Sequence, residues 1–166
     1  MKYRKQIIAK LFEYSQRFYT RHFKTHKTPW NITKEELLAY PYGSLGKALG
    51  AFLNTHGFDL IPKVERHDAY HVLLDFGTKA EDEIALQYLC YGNGKRSLYL
   101  WAVITVGTLI LPDYLHYYYK CYRLGKQLNT FYNLEFFPLL YADLDTLRGS
   151  ICTQTQLEEL KNLYHG

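Results

Sequence analysis

What this chain lacks narrows its reading first. Its three cysteines, Cys90, Cys121 and Cys152, form no CxxC pair. That spacing argues against a cysteine-bound structural zinc, and an odd count without a secretory leader is expected of a reducing compartment. There is no Gly-rich loop of the dinucleotide or P-loop type, and no nucleic-acid motif accompanies the sequence pI of 8.8. No repeat, low-complexity tract or linker divides the 166 residues. With 48% hydrophobic and 22% charged residues, the expectation is one domain, residues 1–166, large enough to bury a core. Strict apolar/polar alternation is scarce, so strands are not expected. The longest charge-free apolar run, SLYLWAVITVGTLILP from Ser97 to Pro112, has 16 residues. It falls short of the roughly 20 that cross a bilayer. It predicts a central core helix, with a membrane-touching role as the alternative.

What the chain does have is helix punctuation. Thr33 and Glu36 form a capping box, Pro41 and Gly43 stop that turn, and Ser44 opens a helix that Gly57 closes. A helix over 63–76 ends at Gly77. Thr78 with Glu81 reads as a second capping box, and Gly92, Asn93 and Gly94 end the helix that follows. The fold class is all-α, a bundle of about seven helices.

Charge is placed unevenly although the net is only +4: residues 1–28 carry eight Lys or Arg against one acid, Glu13. Ile7, Ile8, Leu11, Phe12, Phe18 and Tyr19 recur there with a helical rhythm. The stretch reads as an amphipathic helix that either caps the core with solvated lysines or meets anionic lipid; an organellar transit peptide is a third reading. Later, Tyr114, Tyr117, Tyr118, Tyr119 and Tyr122 crowd one helix, supplying large rings with polar tips for packing or for a pocket mouth.

The stretch RHDAYHVLLDFGTKAEDE, residues 66–83, carries the chemistry. His67 and His71 lie on one helical face with Cβ atoms roughly 5–6 Å apart, close enough to share a cation. Asp68 borders that patch as a ligand, as a partner fixing a ring tautomer, or as a general base. Glu83 follows His71 after eleven intervening residues, within the first turns of the next helix. Two imidazoles with one or two carboxylates suit zinc, or ferrous iron where positions stay open. The plain alternative is a solvated helix face with the histidines paired to Asp68 and Glu65. His22, His26, His56, His116 and His165 have no ligand-spaced partner.

The order HDxxH, eleven residues, then Glu resembles the zinc motif of the fourth coenzyme Q (ubiquinone) biosynthesis protein family. YPYGSLGKALGAFL at 40–53, ERHDAYHVL, YRLGKQ at 122–127 and the Pro138 to Arg148 stretch are similar to segments of that family in the same order. The resemblance covers about residues 40–150. The chain departs from it at Asp82 and Asp75, where the family usually or often has Gly. The resemblance implies an all-helical fold, His67, Asp68, His71 and Glu83 as metal ligands, and attachment to a membrane surface, at its cytoplasmic face or the mitochondrial matrix side. It implies either removal of the ring carboxylate from a prenylated hydroxybenzoate or a scaffold gathering other quinone-synthesis enzymes, with a homo-oligomer as one form. The helix at 98–111 and the tyrosine-rich helix would then wall a groove for the prenyl tail. The competing readings are a prenyl-lipid-binding scaffold with a structural metal and a small zinc metallohydrolase using Asp68 as base.

Overall fold

Side-chain oxygens just ahead of apolar runs start several of the helices. The computed structural model describes residues 3–8, 10 and 28–165. Among them the all-α expectation holds, with nothing strand-like beyond one isolated bridge between Ser44 and Asp143. Residues 3–8 are helical. Eight helices follow: α1 (Lys34–Leu38), α2 (Leu45–His56), α3 (Glu65–Leu74), α4 (Ala80–Gly92), α5 (Leu98–Ile110), α6 (Leu115–Gly125), α7 (Leu144–Ile151) and α8 (Gln154–His165). Short 3-10 turns occur at Pro112–Tyr114 and Phe137–Leu139. Most of the proposed amphipathic helix over 1–28 lies outside the described residues.

The first caps form as expected. Thr33 Oγ1 accepts the Glu36 N–H at 3.1 Å, and the Glu36 carboxylate accepts the Thr33 N–H at 2.7 Å, closing the capping box of α1. Ser44 caps α2, and Gly57 ends it in the left-handed region at φ 66°. Two boundaries differ from expectation. Helix α3 ends not at Gly77 but at Asp75, itself left-handed at φ 50°, a conformation that Asp tolerates better than most residues. Helix α4 is opened not by Thr78 with Glu81 but one residue later: the Asp82 carboxylate accepts the Lys79 N–H at 3.1 Å. Three acids in a row leave the box register open in the sequence, and the loop path from Asp75 sets it.

Helix α4 packs along α6 at close range because both contact points are glycines. Gly92 lies against the Tyr122 carbonyl and Gly125 against the Leu89 carbonyl. The core around them includes Leu49, Leu53, Leu73, Leu74, Leu86 and Leu89, all 0–1% exposed, together with Tyr70, Tyr118, Phe131 and Phe136. The three cysteines are free and buried. Helix α5 corrects the expectation of a central core helix. Leu100, Val103, Ile104 and Gly107 face inward, while Leu98, Trp101, Val106 and Leu109 are exposed. Among the described residues no single helix is long and apolar enough to cross a membrane; α5 and the segment Pro112–Gly125 meet at a bend of 103°.

Candidate metal centre

The αL turn at Asp75 does more than end α3. It returns the chain so that the Phe76 N–H reaches the His71 carbonyl at 2.9 Å, a Schellman-type closure. The same turn brings the Phe76 carbonyl 3.2 Å from His71 Nδ1. A hydrogen bond donated from Nδ1–H to that carbonyl leaves the Nε2 lone pair free for a cation. The ring is held on its flank by Phe52 of α2, stacked at 5.7 Å and 15°. Arg148 of α7 tethers the end of the helix, donating to the Val72 carbonyl at 2.8 Å and the Leu73 carbonyl at 3.1 Å.

Glu83, in the first turn of α4, meets both imidazoles. One carboxylate oxygen is 3.1 Å from His67 Nε2 and the other 3.3 Å from His71 Nε2. One ligand atom from each of the three residues lies within 4.8 Å of the others, so the group can hold a metal ion. A tetrahedral zinc with bonds of about 2.0–2.1 Å keeps its donors about 3.3 Å apart; each imidazole nitrogen stands near that distance from a different oxygen of Glu83. His67 Nε2, His71 Nε2 and Glu83 Oε2 are buried and have no partner outside the trio itself. Buried polar atoms are nearly always satisfied, and a cation at this point would satisfy all three together.

Asp68 stands outside that trio. Its Oδ1 lies 3.6 Å from Nδ1 of His67, the ring nitrogen that is not turned to Glu83; the gap is longer than a hydrogen bond. Of the three roles that the sequence allowed, this position is nearest to that of a ring partner, with the hydrogen bond not closed. Asp82 is turned away as well, accepting from the Lys79 N–H and from Tyr117 Oη at 3.1 Å. Burial pushes its carboxyl up to about 6. Glu65, the proposed surface partner of the histidines, is buried instead and accepts the Trp30 N–H at 3.1 Å.

The electrostatics of the bare trio are those of an ion pair. Burial works to lower His67, but the Glu83 charge and the neighbouring Asp68 outweigh it and raise the imidazole to about 9. Burial works to raise Glu83, and the two histidines outweigh it, holding the carboxyl well below its usual range.

Two residues of the site region were not singled out from the sequence. Arg148 carried no local signal, since its targets are carbonyls 75 and 76 residues away. Gln87 did carry one: it lies four residues after Glu83, on the same face of α4. It is 1% exposed with Oε1 unpaired. An open cleft of about 410 Å³ is lined by Trp30, Glu36, Tyr40, Phe137 and Tyr141, and it shares no residue with the trio or with α5.

Compared with known proteins, the chain matches no family model and no curated sequence.

Proposed function

We propose that the protein acts in quinone synthesis, as a metal-dependent carboxy-lyase that removes the ring carboxylate of a prenylated hydroxybenzoate. The observation that carries this reading is the convergence of His67, His71 and Glu83, each turning to the others a buried atom with no partner outside the trio, in the HDxxH and distant-Glu order. Zinc fits the donor set, and ferrous iron fits it with positions left open. When bound, the cation supplies Lewis acidity toward a carboxylate or phenolate oxygen. Zinc has no redox chemistry, so an oxidative loss of the carboxylate also needs dioxygen or another electron acceptor. The chain's own residues do the positioning. Phe76 and Phe52 fix the His71 ring, Asp68 flanks His67, and the buried position of the trio keeps water scarce.

A second reading is favoured by that same burial: His67, His71 and Glu83 are 13%, 2% and 17% exposed. On it the metal pins α3 to α4, and the protein organises other quinone-synthesis enzymes around a prenyl lipid without chemistry of its own.

The test has two parts. Metal content is measured by elemental analysis in the wild type and in a His67→Ala, His71→Ala double variant; equal content in both removes the site. The metal-loaded protein is then given a prenylated 4-hydroxybenzoate with a ¹³C-labelled carboxyl, under air and under argon. Release of labelled CO₂ by the wild type and not by Glu83→Gln supports the lyase, whereas a metal-bound, folded protein that releases none under either gas leaves the scaffold.

A further inference from the structure

Residues 30–40 and 137–141 come together around the open cleft of about 410 Å³, a volume that suits a small ligand. Four of its lining side chains are aromatic, Trp30, Tyr40, Phe137 and Tyr141, and one is charged, Glu36. The rings lie in two tilted pairs, Trp30 with Phe137 at 5.8 Å and Tyr40 with Tyr141 at 4.4 Å. Phe137 is 47% and Tyr141 72% exposed, so ring surface is left for another molecule. Aromatic residues that only pack are covered, as Tyr70, Phe131 and Phe136 are in the core.

The backbone holds this arrangement in place. The Trp30 N–H donates to Glu65 of α3 at 3.1 Å. Tyr40 lies against Gly46, where a Cβ would come within 2.6 Å of its ring, and the Gly46 N–H donates at 2.8 Å to the carbonyl of Leu140, between Phe137 and Tyr141. Glu36 is fixed by the capping box of α1, which uses Oε2 on the Thr33 N–H; Oε1 has no hydrogen bond among the described residues.

Four rings and one carboxylate, with no Lys or Arg among the lining side chains, make a site for positive charge. Lys34, two residues before Glu36, is turned instead to Asp59 at 3.2 Å and to the Phe58 carbonyl at 3.4 Å. Among the described residues no Lys or Arg pairs with Glu36. Burial, the Tyr141 hydroxyl and the Glu36 charge together hold the Tyr40 phenol above its ordinary range, so a neutral hydroxyl stands beside the carboxylate. A cation is drawn to the ring faces by their quadrupole and to Glu36 by its charge. A bare ammonium is strongly hydrated and is held back by water. Methyl groups weaken that hydration and give the rings surface to touch. An anionic group on the same ligand would meet no cation in the cleft.

We propose that this cleft binds a small quaternary ammonium ion of net positive charge, of the choline type, with its methyl groups against the four rings and its charge toward Glu36. The site is separate from the metal centre and does not depend on the chemistry performed there.

The test is titration of the full chain with choline. It is read by Trp30 emission in a Trp101→Phe background, where Trp30 is the sole tryptophan, and by the ring-current shift of the choline N-methyl protons. The expected dissociation constant is on the order of 1 mM, as suits a few partly exposed cation–π contacts. Three competitors separate the contributions: dimethylbutanol, with tert-butyl in place of trimethylammonium; betaine, with a carboxylate of its own; and ethanolamine, without the methyl groups. Each should bind at least about tenfold more weakly than choline. Glu36→Gln keeps the capping box, which Gln closes as Glu does, and should weaken choline about threefold. Tyr141→Leu, at an exposed position, keeps apolar surface but removes a ring face and should weaken choline about fivefold. His71→Ala should bind choline like the wild type, which separates this site from the metal centre. Dimethylbutanol or betaine binding as tightly as choline overturns the proposal. So does unchanged affinity in both cleft variants, with their fold intact by circular dichroism, and so does the absence of any response to choline.

Discussion

His67 and Glu83 set opposite conditions for proton and metal. The folded value of His67, about 9, lies above its ordinary 6.5. Its pairing with Glu83 therefore stabilises the metal-free protein fully below about pH 6.5, and that contribution is lost as pH rises through 9. The lowered carboxyl of Glu83 contributes above its ordinary 4.5 and is lost as pH falls through its folded value. The metal-free protein is thus expected to gain most from the pair between about pH 4.5 and 6.5, read as urea midpoints across pH. A cation must displace the His67 proton, so zinc affinity measured by competition with a chelator should climb with pH up to about 9, with proton release on binding. At Gln87 the unpaired Oε1 is a cost without a visible return in the fold. Gln87→Leu is expected to raise stability by about 1 kcal/mol, since an apolar side chain of similar size leaves no orphaned carbonyl. Urea unfolding of the variant checks this.

At the scale of elements, the contact between α4 and α6 rests on what two glycines omit and what one asparagine supplies. A Cβ at Gly92 would overlap the Tyr122 carbonyl oxygen, and one at Gly125 the Leu89 carbonyl oxygen. Because these are backbone atoms of rigid helices, Gly92→Ala or Gly125→Ala should each cost about 3 kcal/mol, the upper end for overpacking. Asn93, between the two glycines that end α4, serves the chain after α6. Its Nδ2 faces the Gly125, Leu128 and Asn129 carbonyls at 3.1, 3.4 and 3.2 Å, and its Oδ1 accepts from the Phe131 and Tyr132 N–H groups at 2.9 and 3.1 Å. Asn93→Leu strands these groups. The expected loss is about 3 kcal/mol or more, at about 1 kcal/mol for each of several unpaired groups, measured by the same denaturation.

For the whole molecule, the trio joins two helices that come from different layers of the packing. α3 contacts α2 and α7, whereas α4 packs on α5 and α6. A cation binding only the folded chain therefore secures both halves. At a zinc concentration 100-fold above Kd the gain is about 2.7 kcal/mol, which for a chain of this size is a rise of about 5–10 °C in melting temperature. Differential scanning fluorimetry with zinc, with EDTA and with the His67→Ala, His71→Ala variant checks it: the variant should show no zinc-dependent rise.

The helical fold, the Thr33 and Ser44 caps and the pairing of His67 with His71 on one face were legible in the sequence, because each depends on spacing within a turn or two of helix. Glu83 was legible as a candidate by its order alone. Tertiary structure decided the rest. Only the return of the chain at Asp75 put the Phe76 carbonyl on His71 and shifted the start of α4 to Lys79. Only the packing of α4 set Glu83 between the two rings while Asp68 stayed beside Nδ1 of His67. Helix α5 makes the same point: a charge-free run specifies that its surface avoids water, but which side the protein covers depends on neighbours distant in the chain, and here Ile84 and the core cover only one.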